Sequence, residues 1–503
     1  MPASSRTHRT LLVVATIAYL TAGSAAQPRL SRDAIPGSLS AEIRDLAVRL
    51  YDADPMRRAD SACEIGNLET RAEPLVPLLV SLLGDNASTP VPDCWLDRNG
   101  GWTRRDWTLD DWPPTTPGRE AARALGRIGR RSVDPLLLAL DDEARVVRMN
   151  AAWALGTLDD TRAVEALIRR LEDADAEVRA EVAGALGRLD DSRAVTPLLE
   201  TLADGSIEVR STAAWALGRL DDGRAVDGLL RTLDDDEPEV RAQVAWALGR
   251  LGEHAAVIGL AGLLSAPDPS GLVRRQAAWA LGRLEDARGA DALTRALGDE
   301  DPEVRAQAAW ALGRVADAAV VPRLVTALQD VDADVREQVA WALGRIGDAG
   351  AVEGLIVTLR ADVDADVREQ AAWALGRIDH AASAARVAVG LGDANPDVRE
   401  QTAWALGRLG QASTVDALVA VLDDDAADVR REVAWALGQI ADERSADPLV
   451  ATLDDRDADV RQMAVWALGR LARRGGGSPN PNPNPNPNPN PNPNPLPPRE
   501  RRP

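Results

Sequence analysis

From residue 118 to residue 474 the apolar positions fall into pairs of short helical stripes. In "RAVTPLLETL" (193–202), Val195, Leu198, Leu199 and Leu202 stand at offsets 0, 3, 4 and 7, the spacing of one helix face. Pro197 falls in the first turn, where a missing N–H costs little. An acidic turn such as "DDDEPE" (234–239) follows and predicts side-chain caps for the next helix. That second helix, "VRAQVAWALGRLG" (240–252), carries its own stripe through Val240, Val244, Leu248 and Leu251. Neither helix has a partner inside its own unit large enough to bury its stripe.

The pair repeats. The glycine of an "ALG" triplet stands at 126, 156, 187, 218, 249, 282, 313, 344, 376, 407, 438 and 469, at intervals of 30 to 33 residues. The two longer intervals contain "SAPDPSG" (265–271) and "RADVDADV" (360–367), loops in which an inserted residue disturbs no packing. A degenerate earlier copy, "ADSACEIGNL" (59–68), puts Gly66 at the same position. A fixed period of this length predicts stacked units that share one continuous core.

The pattern D-x-x-V-R-x-x-A-A-x-A-L-G-x-L-G-D-x-x-A-V resembles the HEAT-like repeats of the phycobilisome-lyase type. The resemblance implies an all-α, right-handed α-solenoid of about twelve to thirteen two-helix repeats. It also implies that the V-R helix lines the concave face. Arg241, Arg305, Arg336, Arg368, Arg399, Arg430 and Arg461 then belong to stabilising ladders with Asp. Such arrays host unrelated activities, so the fold is silent about function.

One position breaks the helical logic. At about 100° per residue, Trp246 falls about 155° from the core direction of its helix, where the period calls for a polar residue. Ten units make this choice: Trp153, Trp215, Trp246, Trp279, Trp310, Trp341, Trp373, Trp404, Trp435 and Trp466. One unit has Gly184 instead. Eight of the ten carry Arg four residues on (Arg219, Arg250, Arg283, Arg314, Arg345, Arg377, Arg408 and Arg470), able to lie across the indole. Two readings follow. The Trp row is an open stacking surface for an extended ligand, or each Trp packs on its neighbour's Ala and Arg stem and staples the repeats.

Composition narrows the partner. The net charge of −21 gives no general attraction to phosphate backbones, which argues against nucleic acid. Every strong base is Arg. Arg6 and Arg9, the apolar run Leu11–Leu20 and the small residues "TAGSAA" (21–26) read as an export signal over residues 1–26. The run falls short of a membrane span. The expected location is periplasmic or extracellular.

The predicted organisation is a degenerate repeat over 40–83, an insertion over 84–117, the main array over 118–474 and a tail over 475–503. The insertion holds Trp95, Trp102, Trp107 and Trp112, a candidate lid. Export makes a bond between the two cysteines, Cys63 and Cys94, plausible, and Cys63 occupies the Trp position of its unit. The tail, "GGGS" and then eight Asn-Pro pairs, blocks helix and sheet and favours polyproline II. Aromatic grooves bind Pro-rich segments, and this chain carries both halves.

Catalytic chemistry is missing from the sequence. His254 and His380 lie in no His-Glu pair, unlike the iron-binding motifs of deoxyhypusine hydroxylase, a HEAT-like enzyme. "DVDADV" (330–335) begins like a calcium loop, but Val335 and Trp341 stand where Gly and Glu are needed. No nucleophile–base set, phosphate loop or zinc spacing appears. The reading is therefore an exported, non-catalytic scaffold without metal or cofactor. Its partner is a protein or extended peptide, Pro-rich segments included. The alternatives are an envelope spacer with the Trp row internal to packing and, more remotely, an enzyme of the HEAT-like class.

Overall fold

The computed structural model describes residues 31–92, 94 and 114–474. The N-terminal segment read as an export signal, the Asn-Pro tail and Trp95, Trp102, Trp107 and Trp112 lie outside the described residues. Those described fall into two compact units divided between Ala194 and Val195. Each is an all-α stack of two-helix repeats, and the described residues form no strand beyond one isolated bridge, Thr89 with Thr115. No helix among them is long and apolar enough to cross a membrane.

Each repeat opens with a short 3-10 turn and a first helix of about two turns, such as Val195–Thr201, Val226–Thr232 or Val321–Ala327. A longer second helix follows, such as Pro238–Leu251, Pro302–Val315 or Ala333–Ile346. Thirteen second helices are present, from Pro55–Asn67 to Ala458–Arg474. The apolar stripes lie inward as their spacing predicts: Val240, Val304 and Leu248 are fully buried, as are Leu198 and Leu324 of the first helices.

The insertion falls between the first helix Val76–Leu82 and the second helix Pro117–Ile128 of one repeat. Its base is closed by paired backbone hydrogen bonds of 2.9 Å between Thr89 and Thr115. Cys63, on the helix Pro55–Asn67, is bonded to Cys94, with Cα atoms 6.3 Å apart.

The acidic turns divide their work. Asp301, Asp332 and Asp364 cap second helices through backbone N–H groups, as expected. In "DDDEPE", however, the cap residue is Glu237 and its side chain makes no cap bond. Asp235 instead accepts Arg210 from the preceding repeat, at 2.7 and 2.8 Å. Asp235 also offers its backbone carbonyl to Arg241 at 2.7 Å, and Arg241 reaches on to Asp268 at 2.6 and 2.9 Å.

This link recurs through Arg274–Asp299, Arg305–Asp330, Arg336–Asp362, Arg368–Asp393, Arg399–Asp424 and Arg430–Asp455. In the first unit Arg58–Asp85 and Arg148–Asp173 are equivalent. Arg461, last in the row, keeps the bond to its own loop, at Asp455 O, 2.7 Å away. Hydrogen bonds from Arg hold the carboxyls of Asp235, Asp393 and Asp455 below the ordinary range. Bidentate pairing of this kind adds geometric specificity to charge.

Candidate binding face

Second helices approach each other closely because glycine faces alanine. A Cβ built on Gly313 would lie 2.8 Å from Cα of Ala342 in the next repeat. The same contact recurs at Gly249 with Ala280 and at Gly407 with Ala436, at 2.7 and 2.8 Å. Glycine inside a helix weakens it, so its recurrence marks a packing requirement.

The indole occupies the rest of that slot. Cζ3 of Trp341 lies 2.8 Å from the Cβ position of Gly313, and Trp373, Trp404 and Trp435 stand at 2.6 Å over Gly344, Gly376 and Gly407. Trp246, Trp279, Trp310 and Trp466 repeat the contact on Gly218, Gly249, Gly282 and Gly438.

This corrects the expectation of an open aromatic row. Trp279, Trp310, Trp341 and Trp435 are buried, with 7, 6, 1 and 3 % of their surface exposed. Trp153, Trp215, Trp246, Trp373, Trp404 and Trp466 are half-buried. The helical wheel measures direction from a helix's own core, but in a stack the neighbouring repeat covers the flank as well. The indole Nε1 groups of Trp310, Trp341 and Trp435 are buried without a hydrogen-bond partner.

What the face presents over the indoles is arginine. The guanidinium carbons of Arg219, Arg250, Arg283, Arg314, Arg345, Arg377 and Arg470 lie 5.6–6.0 Å from the ring four residues before them. Arg408 is exposed without making this contact, and of the others all but Arg314 and Arg470 are exposed too. Each stack adds about 0.5–1 kcal/mol at an exposed site.

Trp153 has Thr157 at i+4 and takes its cations from the preceding repeat instead. Arg119 lies 4.5 Å and Arg123 5.9 Å from its ring. There the junction is looser: Thr157 rather than an indole meets Gly126, leaving an opening of about 310 Å³ lined by Arg123, Gly126, Arg127, Trp153 and Thr157.

Sequence reasoning missed a further row. Three residues before nine of the ten Trp stands a polar side chain (Met463 precedes Trp466), among them Asn150, Gln307, Gln338, Gln401 and Glu432, each at most 7 % exposed. Gln307 Nε2, Gln338 Oε1 and both carboxyl oxygens of Glu432 lack partners. Burial above all, with the nearby charge of Glu400, pushes the Glu432 carboxyl up to about 8. In neutral form it matches the Gln at the equivalent place in its neighbours. The signal was there in the repeated "Q-x-A-W" and "Q-V-A-W", but the wheel alone could not say that the next repeat would cover it.

The chain matches the family model for HEAT repeats seven times, at residues 107–187, 133–206, 195–271, 260–343, 291–376, 352–435 and 385–469. That match does not distinguish the lyase subtype. Among curated proteins none matches this sequence. Among solved structures it is similar to Kap95p in a complex with RanGDP, at 14% identity and a TM-score of 0.54, covering 86% of this chain and 66% of that one. It is similar to importin beta at 16% identity and a TM-score of 0.52, covering 86% and 70%. It is also similar to Kap121p bound to the extreme C-terminus of the protein phosphatase Cdc14p, at 14% and 0.52, covering 86% and 53%. The chain thus spans about half the length of Kap121p.

Proposed function

The chain belongs to the HEAT-repeat proteins, and from that premise we propose that it is an exported, non-catalytic scaffold that binds an extended polypeptide along the face of its second helices. The observation that carries this reading is the row of guanidinium groups held over indoles at one per repeat. Arginine and aromatic groups are what interaction hot spots are enriched in. Solenoids of the same fold bind polypeptides, as the Kap121p complex with a protein C-terminus illustrates. Export rests on the N-terminal segment, whose basic, apolar and small-residue order fits a cleaved signal.

Since the indoles are largely covered, the partner meets Arg side chains and ring edges rather than open aromatic faces. Arg250→Ala, Arg345→Ala and Arg377→Ala together should lower the melting temperature by only a few degrees, the three exposed stacks being worth about 1.5–3 kcal/mol together, and should leave the fold intact. The same triple variant should no longer retain a polypeptide that the wild-type chain captures from an exported fraction. Equal capture by both would overturn the assignment of this face.

The second reading, a structural spacer, is favoured by the fit of Trp on Gly. It predicts no specific capture by either chain.

A further inference from the structure

In the first compact unit the indole row is broken, and arginine takes its place. Three residues before the recurring glycine, four successive second helices carry Cys63, Arg123, Trp153 and Gly184. Ala124 and the stem of Arg127 lie 2.9 and 3.4 Å from the Cβ position of Gly66. Ala185 and Nε of Arg188 lie 2.6 and 3.0 Å from that of Gly156. Guanidinium side chains thus stand at junctions where the second unit places an indole. Between them, Gly126 meets Thr157 instead of the usual alanine and indole.

Arg119, Arg123 and Arg127 follow one another at four-residue steps along the helix Pro117–Ile128 and share one stripe. The first two lie 4.5 and 5.9 Å from the ring of Trp153, on the next second helix, Arg145–Thr157. Glu181 accepts Arg119 at 3.2 Å and Arg188 at 2.9 Å. Glu120, fully buried, accepts Arg123 and, at 2.7 Å, the Thr115 hydroxyl. Arg127 donates to Asn67 Oδ1 at 2.9 Å. Each guanidinium is thus held in place, while like charges stand side by side. Burial above all pulls Arg119 and Arg123 below the ordinary arginine range, with Glu181 and Glu120 opposing it. Arg188 adds to the effect at Arg119, and Arg119 and Arg127 add to it at Arg123.

These groups border the opening of about 310 Å³, to which one helix contributes Arg123, Gly126 and Arg127 and the next contributes Trp153 and Thr157. In a chain of net charge −21 this is a local reversal of sign. An anion placed there relieves the repulsion among the guanidiniums and gains charge-assisted hydrogen bonds from them. The indole offers a flat apolar surface beside the charges. The volume is larger than a bare oxyanion needs and lies at the small end of ligand sites. Packing alone would be served by the indole-on-glycine joint used elsewhere in the chain, and a local rule suspended at one place is the mark of a site.

We propose that this opening binds an oxyanion, a carboxylate or a phosphate ester, carried on a small flat apolar group. Arg123 and Arg127 take the oxygens and Trp153 takes the apolar part. All the residues of the site belong to the first unit. The site goes beyond the polypeptide reading above and does not rest on it, because the test of that reading acts on Arg250, Arg345 and Arg377.

The experiment titrates the full chain by calorimetry with phenylacetate, phenyl phosphate and the neutral benzyl alcohol. At least one of the two acids should bind at one per chain, about tenfold or more tighter than the alcohol. The tighter acid identifies the source of the oxyanion, and its affinity should fall as salt rises. Arg127→Gln, which keeps a donor for Asn67, should weaken that acid about tenfold. Thr157→Glu, at an exposed position, supplies a carboxylate from the chain itself. It should abolish binding of the acid and melt no lower than the wild type. Arg131→Gln, exposed and outside the opening, should leave the affinity unchanged. Three results overturn the proposal: no saturable binding of either acid up to about 10 mM, equal binding of acid and alcohol, or binding that survives both Arg127→Gln and Thr157→Glu.

Discussion

A methyl group on Gly313 would stand 2.8 Å from both Cα of Ala342 and Cζ3 of Trp341. Backbone and a buried ring cannot both retreat, so Gly313→Ala should cost about 1–3 kcal/mol as an overpacked site. Trp341→Ala, removing the largest side chain among those fully buried, should cost about 3–5 kcal/mol. Urea unfolding of both variants checks this. A loss below about 1 kcal/mol for Trp341→Ala would mean that the indole does not hold the repeats together. The Arg at i+4 acts on a different link, from surface to partner, and its removal should cost no more than about 0.5–1 kcal/mol on the same curve.

Helix ends carry a second kind of choice. Second helices close with a residue in the left-handed region: Gly252 and Gly347 at φ 70° and 75°, but Ala316 and Ala441 at φ 56° and 51°. An L-residue there costs about 1–2 kcal/mol, which glycine avoids. Ala316→Gly should therefore raise stability by about 1 kcal/mol, whereas Gly347→Ala should lower it by a similar amount. Thermal melts of the pair decide it, and a shift of the same sign in both would refute the argument. The alternation of Gly, Asp, Glu and Ala at this place was visible in "LGRLG", "LGRLE" and "LGRVA", although only the backbone angles reveal which of them is strained.

Across the whole molecule two sets of carboxyls pull stability in opposite directions with pH. The ladder aspartates, such as Asp235 and Asp393, titrate below their ordinary value because Arg hydrogen-bonds the charged form. Their contribution is complete above the unfolded value of about 3.9 and disappears as pH falls through the lowered folded value. Burial first, then neighbouring carboxylates, pushes Glu337 and Glu369 up to about 7 in the folded chain, so they keep protons that the unfolded chain has already released. That contribution is greatest below about pH 4.5 and is lost as pH rises from there to about 7. The melting temperature should thus peak on the acid side of neutrality, and Glu337→Gln with Glu369→Gln should flatten the limb between about pH 5 and 7. An unchanged limb would show that these carboxyls are not held neutral.

The period of 30–33 residues, the two stripes per unit and the V-R and "ALG" positions were enough to establish a HEAT-repeat array, because a one-dimensional stack repeats the same local solution in each unit. Spacing also anticipated the Arg that lies over the Trp four residues before it, at seven of the eight positions, since that contact stays within one helix. Contacts between repeats were beyond its reach. The indole over the preceding glycine, the Arg–Asp link joining positions 25 to 27 apart, and the raised carboxyls of Glu337 and Glu369 all depend on which flank of a helix its neighbour covers. A helical wheel has no neighbour in it, and tertiary packing supplies the one that turns an outward position into a buried joint.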